Sequence, residues 1–317
     1  MSEKIKHITV LMTVYNDSRY LKSSVRSILN QTFRDFEFLI VDDGSDDKPE
    51  EVINEFRDSR IILKKIKHAG LAGALNYGLR NSSGEWIARI DADDLCTENR
   101  LKRQVEFLNT NKHIDVLSSW SVYFSNKKEI LFPLRTPVSD PDIKTFLNLH
   151  NPVNHSAVIF SKNKILADGG YNETYQSYED FELWLRMRDK LSFLILPEYL
   201  VYTRFRKDSL SNIGSKESIY KLLAANANLN LGNSSSLRDI KYWKTTLFWI
   251  EYFYGDKNVA RKHFAKDFTI KKSAAYLNTF LPANALKKLT GLRLKQRAAL
   301  PRHIRTKFKE ELNRLLK

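Results

Sequence analysis

Short runs of consecutive apolar residues, many of them β-branched, alternate with segments whose apolar positions recur every three or four residues. In the first third of the chain this alternation repeats four times. Ile8–Val14, Phe36–Val41, Ile61–Ile66 and Trp86–Ile90 have the length and bulk of buried strands. Tyr20–Asn30 brings Leu21, Val25, Ile28 and Leu29 to one helical face. Glu50–Phe56, Leu71–Leu79 and a segment from Glu98 to Leu108 read as further helices. Four strand–helix units in this order predict an α/β fold, a mainly parallel twisted sheet with helices on both faces.

The pattern changes after Asn111. Asp115–Phe124 and Val158–Phe160 read as strands, joined by a segment punctuated by Pro133, Pro137 and Pro141. Gly169-Gly170-Tyr171 is a turn, and Ser177-Tyr178-Glu179-Asp180 opens a helix with Leu183, Trp184 and Met187 on its apolar side. Ser192–Leu196 reads as a strand and Thr203–Ser211 as a polar loop. Beyond Ser215 only helical spacing is found, over Glu217–Leu231, Lys241–Tyr254, Phe264–Phe280, Ala283–Leu289 and Arg302–Leu316. We therefore expect a catalytic domain over residues 1–214 and a helical, basic extension over 215–317.

In open parallel sheets, ligands bind beyond the carboxyl ends of the strands. Three of those ends are polar here: Tyr15-Asn16-Asp17, Asp42-Asp43-Gly44-Ser45 and Asp91-Ala92-Asp93-Asp94. Residues two apart at a strand end point to one side, so Asp91 and Asp93 can converge. Two hard oxygen donors suit Mg2+ or Mn2+. The same stretch could instead be a solvated loop capping the next helix through Asp94 or Thr97. No glycine lies in Thr13–Tyr20, which excludes the dinucleotide-binding fingerprint, and no P-loop pattern occurs.

Charge and cysteine content refine this picture. Of the net +15, sixteen Lys and Arg against Asp267, Glu310 and Glu311 place +13 in residues 261–317, leaving +2 on the rest. A basic tail on a near-neutral body implies an anionic partner, a membrane surface or a nucleic acid. In Arg302–Leu316, Ile304, Phe308, Leu312 and Leu315 stand opposite Arg305, Lys309 and Arg314, a pattern suited to an anionic bilayer. The single cysteine, Cys96, fits a reducing compartment and reads as a packed residue. Neither an export signal nor a membrane span is present in the sequence, so a cytoplasmic location is expected.

Several blocks, in order, match one family. They are Val14-Tyr15-Asn16; Ser24-Val25-Arg26-Ser27-Ile28-Leu29 with Gln31-Thr32-Phe33; Val41-Asp42-Asp43-Gly44-Ser45; and Asn76 with Gly78. Ala88-Arg89-Ile90-Asp91-Ala92-Asp93-Asp94 with Arg100-Leu101 and Gln104, Gly169-Gly170-Tyr171 and Glu179-Asp180-Phe181-Glu182-Leu183-Trp184 complete the set. Over Ile8 to Ser211 the chain resembles the inverting glycosyltransferases of family 2, which have the GT-A fold. With Asn151-Pro152-Val153-Asn154-His155 it looks most like transferases of bacterial exopolysaccharide, capsule and lipopolysaccharide assembly.

The resemblance implies roles. Thr13, Val14, Tyr15 and Asp17 would line the nucleoside pocket, and Asp42 would accept from the base, since a carboxylate suits the imide N–H of uracil or thymine. Gly70, Asn76, Arg89 and Ala92 would belong to the nucleotide-sugar site. Asp91 would approach the ribose or the metal, and Asp93 would hold Mn2+ or Mg2+ on the diphosphate. Asp180 would be the general base, with His155, Glu179 and Trp184 on the acceptor side. The donor implied is a UDP-sugar, and the acceptor a lipid-linked glycan at the inner face of the cell membrane, with the basic tail as peripheral anchor. Two departures stand out. Where family members often carry Arg-x-His before Asp-Ser-x-Ser, this chain reads Arg204-Phe205-Arg206, and guanidinium is no metal ligand. The loop His68-Ala69-Gly70 also lacks the Asn that often precedes the first glycine. A sugar-phosphate nucleotidyltransferase on a similar sheet is the alternative. Nucleic-acid binding would account for the tail but leave three acidic strand ends without a role, so no nucleic-acid partner is expected.

Overall fold

The structure is a computed structural model and describes residues 8–175, 177–206, 216–234, 246, 247, 249, 250 and 302–316. Its first half alternates as the hydrophobic pattern predicts. β1 (Ile8–Val14), α1 (Ser18–Leu29), β2 (Phe36–Asp42), α2 (Pro49–Ile53), β3 (Ile61–Lys65), α3 (Gly70–Asn81) and β4 (Trp86–Asp91) follow in turn. β1 pairs in parallel with β2 and β4, and β2 with β3. Every residue of β1 is buried, as a strand flanked on both edges and both faces must be.

Alternate residues of the strands enter two different cores. Leu11, Leu39 and Ile87 pack with Ala74, Leu75 and Leu79 of α3 and, further along, with the helices of the second half. Val10, Met12, Ile40 and Ile90 pack with Leu21, Val25 and Ile28 of α1. They are joined there by Leu101, Val105 and Leu108 of α4 (Arg100–Thr110). The two-residue side-chain period of a strand thus puts helices on both faces, and the mixed α/β architecture agrees with expectation.

The second half contains β5 (Leu95–Cys96), β6 (Val116–Ser125), β7 (Ile130–Leu134), β8 (Ile159–Ser161) and β9 (Phe193–Phe205). Its helices are α5 (Asp140–Phe146), α6 (Lys162–Ala167) and α7 (Glu179–Arg186), with a 3-10 turn at His155–Ala157. All nine described strands form one sheet, ordered β3-β2-β1-β4-β8-β6-β9-β5, with β7 paired to β6. Here antiparallel pairs enter: β8 runs against β4 and β6. Two expectations are corrected. Thr203–Phe205 is strand, because β9 continues past Pro197 and stays in parallel register with β6 to Ser125. The proline-punctuated segment holds β7, where Pro133 is tolerated on a strand that pairs only with β6.

Two helices of the extension fall in the described residues, α8 (Lys216–Gly232) and α9 (Arg302–Leu315). Leu223 and Ala227 of α8 join the core beneath α7. On α9, Phe308, Leu312 and Leu315 pack against Leu95, Val122, Phe124, Ile130 and Tyr202. The Tyr202 hydroxyl donates to Glu311 at 2.7 Å. This corrects the expectation of an apolar face offered to a bilayer: the protein's own sheet covers it, leaving Arg305, Lys307, Lys309 and Arg314 exposed. The helices expected over 264–280 and 283–289, and most of the one over 241–254, lie outside the described residues. No described helix is long and apolar enough to cross a membrane.

Candidate active site

The polar strand ends meet in a cleft of about 1190 Å³. Its lining includes Thr13 and Val14 at the end of β1, Tyr15 and Asp17 beyond it, Asp43, Gly70, Arg89, Asp91, Ala92, Asp93 and Asp94 around the end of β4, together with His155, Glu179 and Asp180. Asp93 and Asp180, far apart in sequence, therefore face one space.

At one end, Tyr15 is half exposed and its ring stacks on His68, centroids 4.1 Å apart at 24°. His68 Nδ1 lies 2.9 Å from Asp43 Oδ2, and Ala69 N donates to Asp43 Oδ1 at 2.7 Å. A glycine is required at Gly44, whose φ is +75° and whose Cβ position would lie 2.9 Å from His68 N. Asp42 does not line the cleft. Its carboxyl is buried, accepts from Ser45 N at 2.8 Å and faces Lys65 Nζ at 3.4 Å. Asp42 thus ties down the turn, and its neighbour Asp43 takes the wall position, since adjacent side chains at a strand end point oppositely.

Three arginines organise the β4 carboxylates. Arg89, 1% exposed, binds both oxygens of Asp91, which also accepts from Ser156 Oγ at 2.7 Å. Burial works to raise the Asp91 pKa, but the charge and hydrogen bonds of Arg89 outweigh it and hold Asp91 below the usual carboxylate range. Asp94 Oδ1 accepts from Arg204 N at 2.7 Å, and Arg204 Nε donates to the Asp93 carbonyl at 2.9 Å. Arg206 Nε lies 3.0 Å from Asp93 Oδ2, while its two terminal nitrogens donate to Asp17 at 2.6 and 2.9 Å. Burial, with Asp91 nearby, pushes Asp93 up to about 7.

Asp93 is a hard oxygen donor that lines the cleft. These properties fit Mn2+ or Mg2+, which one carboxylate plus substrate phosphates can hold. Asp91 is the more heavily engaged of the two expected ligands, since Arg89 contacts both of its oxygens and Ser156 one of them.

Across the cleft, Tyr178 adopts the left-handed conformation (φ 65°) directly before α7. That backbone turns Glu179 and Asp180 into the cleft at the helix N-terminus, where the dipole favours anions. Asp180 accepts from Phe181 N at 2.7 Å through one oxygen and from Asn151 Nδ2 at 2.8 Å through the other. His155 Nδ1 is 3.6 Å from Glu179 Oε1 and 4.0 Å from Asp180 Oδ2, and its Nε2 meets the Tyr171 hydroxyl at 2.8 Å. Burial is the main cause of all three pKa shifts in this corner. It takes Asp180 up to about 6, takes Glu179, beside Asp180, to about 8, and holds His155 well below the usual imidazole range. At neutral pH only Asp180 of the three is mainly ionised.

Two expected site residues lie elsewhere. Trp184 is fully buried, edge-on to Phe160 and Phe193 at 5.8 and 6.2 Å, because α7 turns this position onto the sheet. Asn76 is buried on α3 and brackets the 171 peptide: its Oδ1 accepts from Tyr171 N and its Nδ2 donates to Tyr171 O, both at 2.8 Å. A side chain at Gly170 (φ +77°) would meet Asn76 Oδ1 at 2.5 Å. Asn76 thus supports Tyr171, and through it His155, without reaching the cleft. Asn151 and Tyr171 are contributors that sequence reasoning passed over, although both stand in the matching blocks.

Residues 9–169 match the family model described as "Glycosyl transferase family 2". An uncharacterized glycosyltransferase of Methanocaldococcus jannaschii is 34% identical over 223 residues, 67% of this chain and 76% of that one. The Escherichia coli UDP-Gal:alpha-D-GlcNAc-diphosphoundecaprenol beta-1,3-galactosyltransferase is 28% identical over 248 residues, 75% of this chain and 89% of that one. Among solved structures, S. aureus TarS 1-349 in complex with UDP-GlcNAc superposes with a TM-score of 0.61 at 18% identity, covering 86% of this chain and 79% of that one. At that identity the likeness concerns the fold.

Proposed function

We propose, from the premise that this chain belongs to glycosyl transferase family 2, that it is an inverting transferase of a sugar from a nucleoside diphosphate, most simply UDP, to a lipid-linked glycan. One observation carries the reading: a carboxylate with both oxygens held by donors, Asp180, faces the same cleft as the carboxylates of the β4 end.

In this reading Tyr15 and His68 hold the nucleobase by stacking, with Asp43 beside them. Thr13, Val14, Asp17 and Gly70 complete that end of the donor site, and Arg89, Asp91 and Ala92 form its floor at β4. Asp93 holds Mn2+ or Mg2+, which when bound would neutralise charge on the departing diphosphate. Asp180 takes the proton of the acceptor hydroxyl as its oxygen attacks the anomeric carbon from the side opposite the leaving group. An aspartate raised to about 6 is ionised at neutral pH and a stronger base than an ordinary one. Asn151 and the Phe181 amide fix both of its oxygens, which sets the direction of proton transfer.

The UDP-sugar and diphosphoundecaprenol-linked substrates in the names of relatives support the donor and acceptor classes. The reading puts transfer at the cytoplasmic face of a membrane, and the +13 carried by residues 261–317 supports contact of that stretch with anionic lipid. The test has two parts. A melting-point screen of UDP- and GDP-sugars with and without Mn2+ identifies the donor, because a ligand of the native state raises the midpoint. With that donor, Asp180→Asn should still bind but lose transfer by about 10²–10⁴-fold, the usual weight of a general base. Wild-type turnover by this variant would remove Asp180 from the mechanism.

A further inference from the structure

The cleft poses an electrostatic problem for the ligand just proposed. Its lining holds twice as many carboxyl as guanidinium side chains, and a nucleoside diphosphate brings further negative charge. Two of those guanidinium groups are committed elsewhere. Arg89 holds both oxygens of Asp91, and Arg204 lies between the rings of Tyr20 and Phe124, 4.4 and 4.5 Å away. Arg206 is placed differently. It spans from Asp17, just beyond β1, to Asp93, just beyond β4, and these strands are neighbours in the sheet. The proposed nucleobase end, formed by Tyr15, Asp43 and His68, lies beyond the ends of β1, β2 and β3, and Asp180 lines the same cleft. A diphosphate joining base to sugar must therefore cross the gap that Arg206 bridges.

We propose that Arg206 is a phosphate-binding residue of the donor site, a cation built into the chain that exchanges one of its carboxylate partners for the diphosphate oxygens. The planar fork that grips Asp17 through two nitrogens matches phosphate equally well. The contact with Asp93 sets Arg206 beside the carboxylate that would hold a divalent ion, so Arg206 itself neutralises part of the charge of the leaving group. Nucleotide binding in this protein consequently depends on divalent metal only in part. This inference rests on the nucleoside diphosphate reading of the donor site.

The test is titration calorimetry of the full chain with UDP and with uridine, each in MnCl2 and in EDTA, on wild type, Arg206→Ala and Arg206→Lys. Wild type is expected to keep measurable UDP affinity in EDTA. Arg206→Ala should lose about tenfold or more of it, the weight of a charge-assisted hydrogen bond, while uridine binding stays unchanged. Arg206→Lys, which retains the charge without the fork, should fall between them, and it carries the test if the alanine variant does not fold. Equal UDP affinity of Arg206→Ala and wild type in EDTA overturns the proposal, as does a parallel loss of uridine. If wild type binds UDP under neither condition, the donor reading fails and takes this one with it.

Discussion

Burial sets the chemistry of the corner formed by His155, Glu179 and Asp180. All three side chains have lost most of their water, and a buried charge is expensive unless it is hydrogen-bonded. Asp180 has two donors, the Phe181 amide and Asn151, and so remains the group that ionises first. The pH dependence follows. Transfer should fall on acidification through about pH 6 as Asp180 takes up its proton, and a rate profile measured in saturating donor would show that limb. Stability moves the opposite way. An aspartate raised to about 6 from its ordinary 3.8 favours the folded state at acid pH and loses that advantage as the pH rises through 6. Asp180→Asn should therefore be more stable than wild type at pH 8, by on the order of 1–3 kcal/mol, and nearly equal to it at pH 4. Melting curves at the two pH values would show this, and a variant less stable at pH 8 would contradict the assigned environment. At this scale the sequence located the polar strand ends but not which of two neighbours faces the cleft. Asp43 displaces Asp42 because the side chain that caps the turn cannot also reach the cleft.

Among the elements, β9 and α9 do work that neither reveals alone. β9 carries Arg204 to the β4 carboxylates and leads to Arg206, and its other residues hold the last helix. Leu312 is fully buried between α9 and the sheet. Leu312→Ala should cost about 2–5 kcal/mol, the range for truncating a buried leucine. A midpoint lowered by several degrees in thermal unfolding would report it; an unchanged midpoint would mean that α9 does not pack there. The strands and helices of the first half were legible because each has its own hydrophobic period. β5, β7 and the part of β9 beyond Leu196 were not. Two residues carry no period, Pro133 argues against a strand unless an edge is known to be free, and Thr203–Phe205 looks polar until β6 is alongside.

For the whole molecule, charge is the large-scale feature: a near-neutral body and +13 in residues 261–317. Because α9 is part of the packed body, deleting the tail would remove core as well as charge. The informative variant neutralises lysines and arginines between 261 and 301. Wild type should float with vesicles containing anionic lipid at low salt and be released as ionic strength rises, each neutralised charge weakening binding by about 1 kcal/mol. Flotation indifferent to salt and to neutralisation would end the peripheral-membrane reading.

What the sequence determined by itself were the properties local in the chain: the alternation of strand and helix, the polar residues where strands end, and the side chains able to bind a cation or take a proton. Hydrophobic period and residue chemistry carry such information over a few positions. Tertiary structure alone decided which carboxylates share a cavity, that Arg89 claims Asp91 while Arg206 reaches both Asp17 and Asp93, that Trp184 and Asn76 are supports, and that the final helix covers the sheet. Those facts depend on segments up to 189 residues apart in the cleft, and 216 apart at the final helix, meeting at a few ångströms, and burial there sets both the protonation states and the partners.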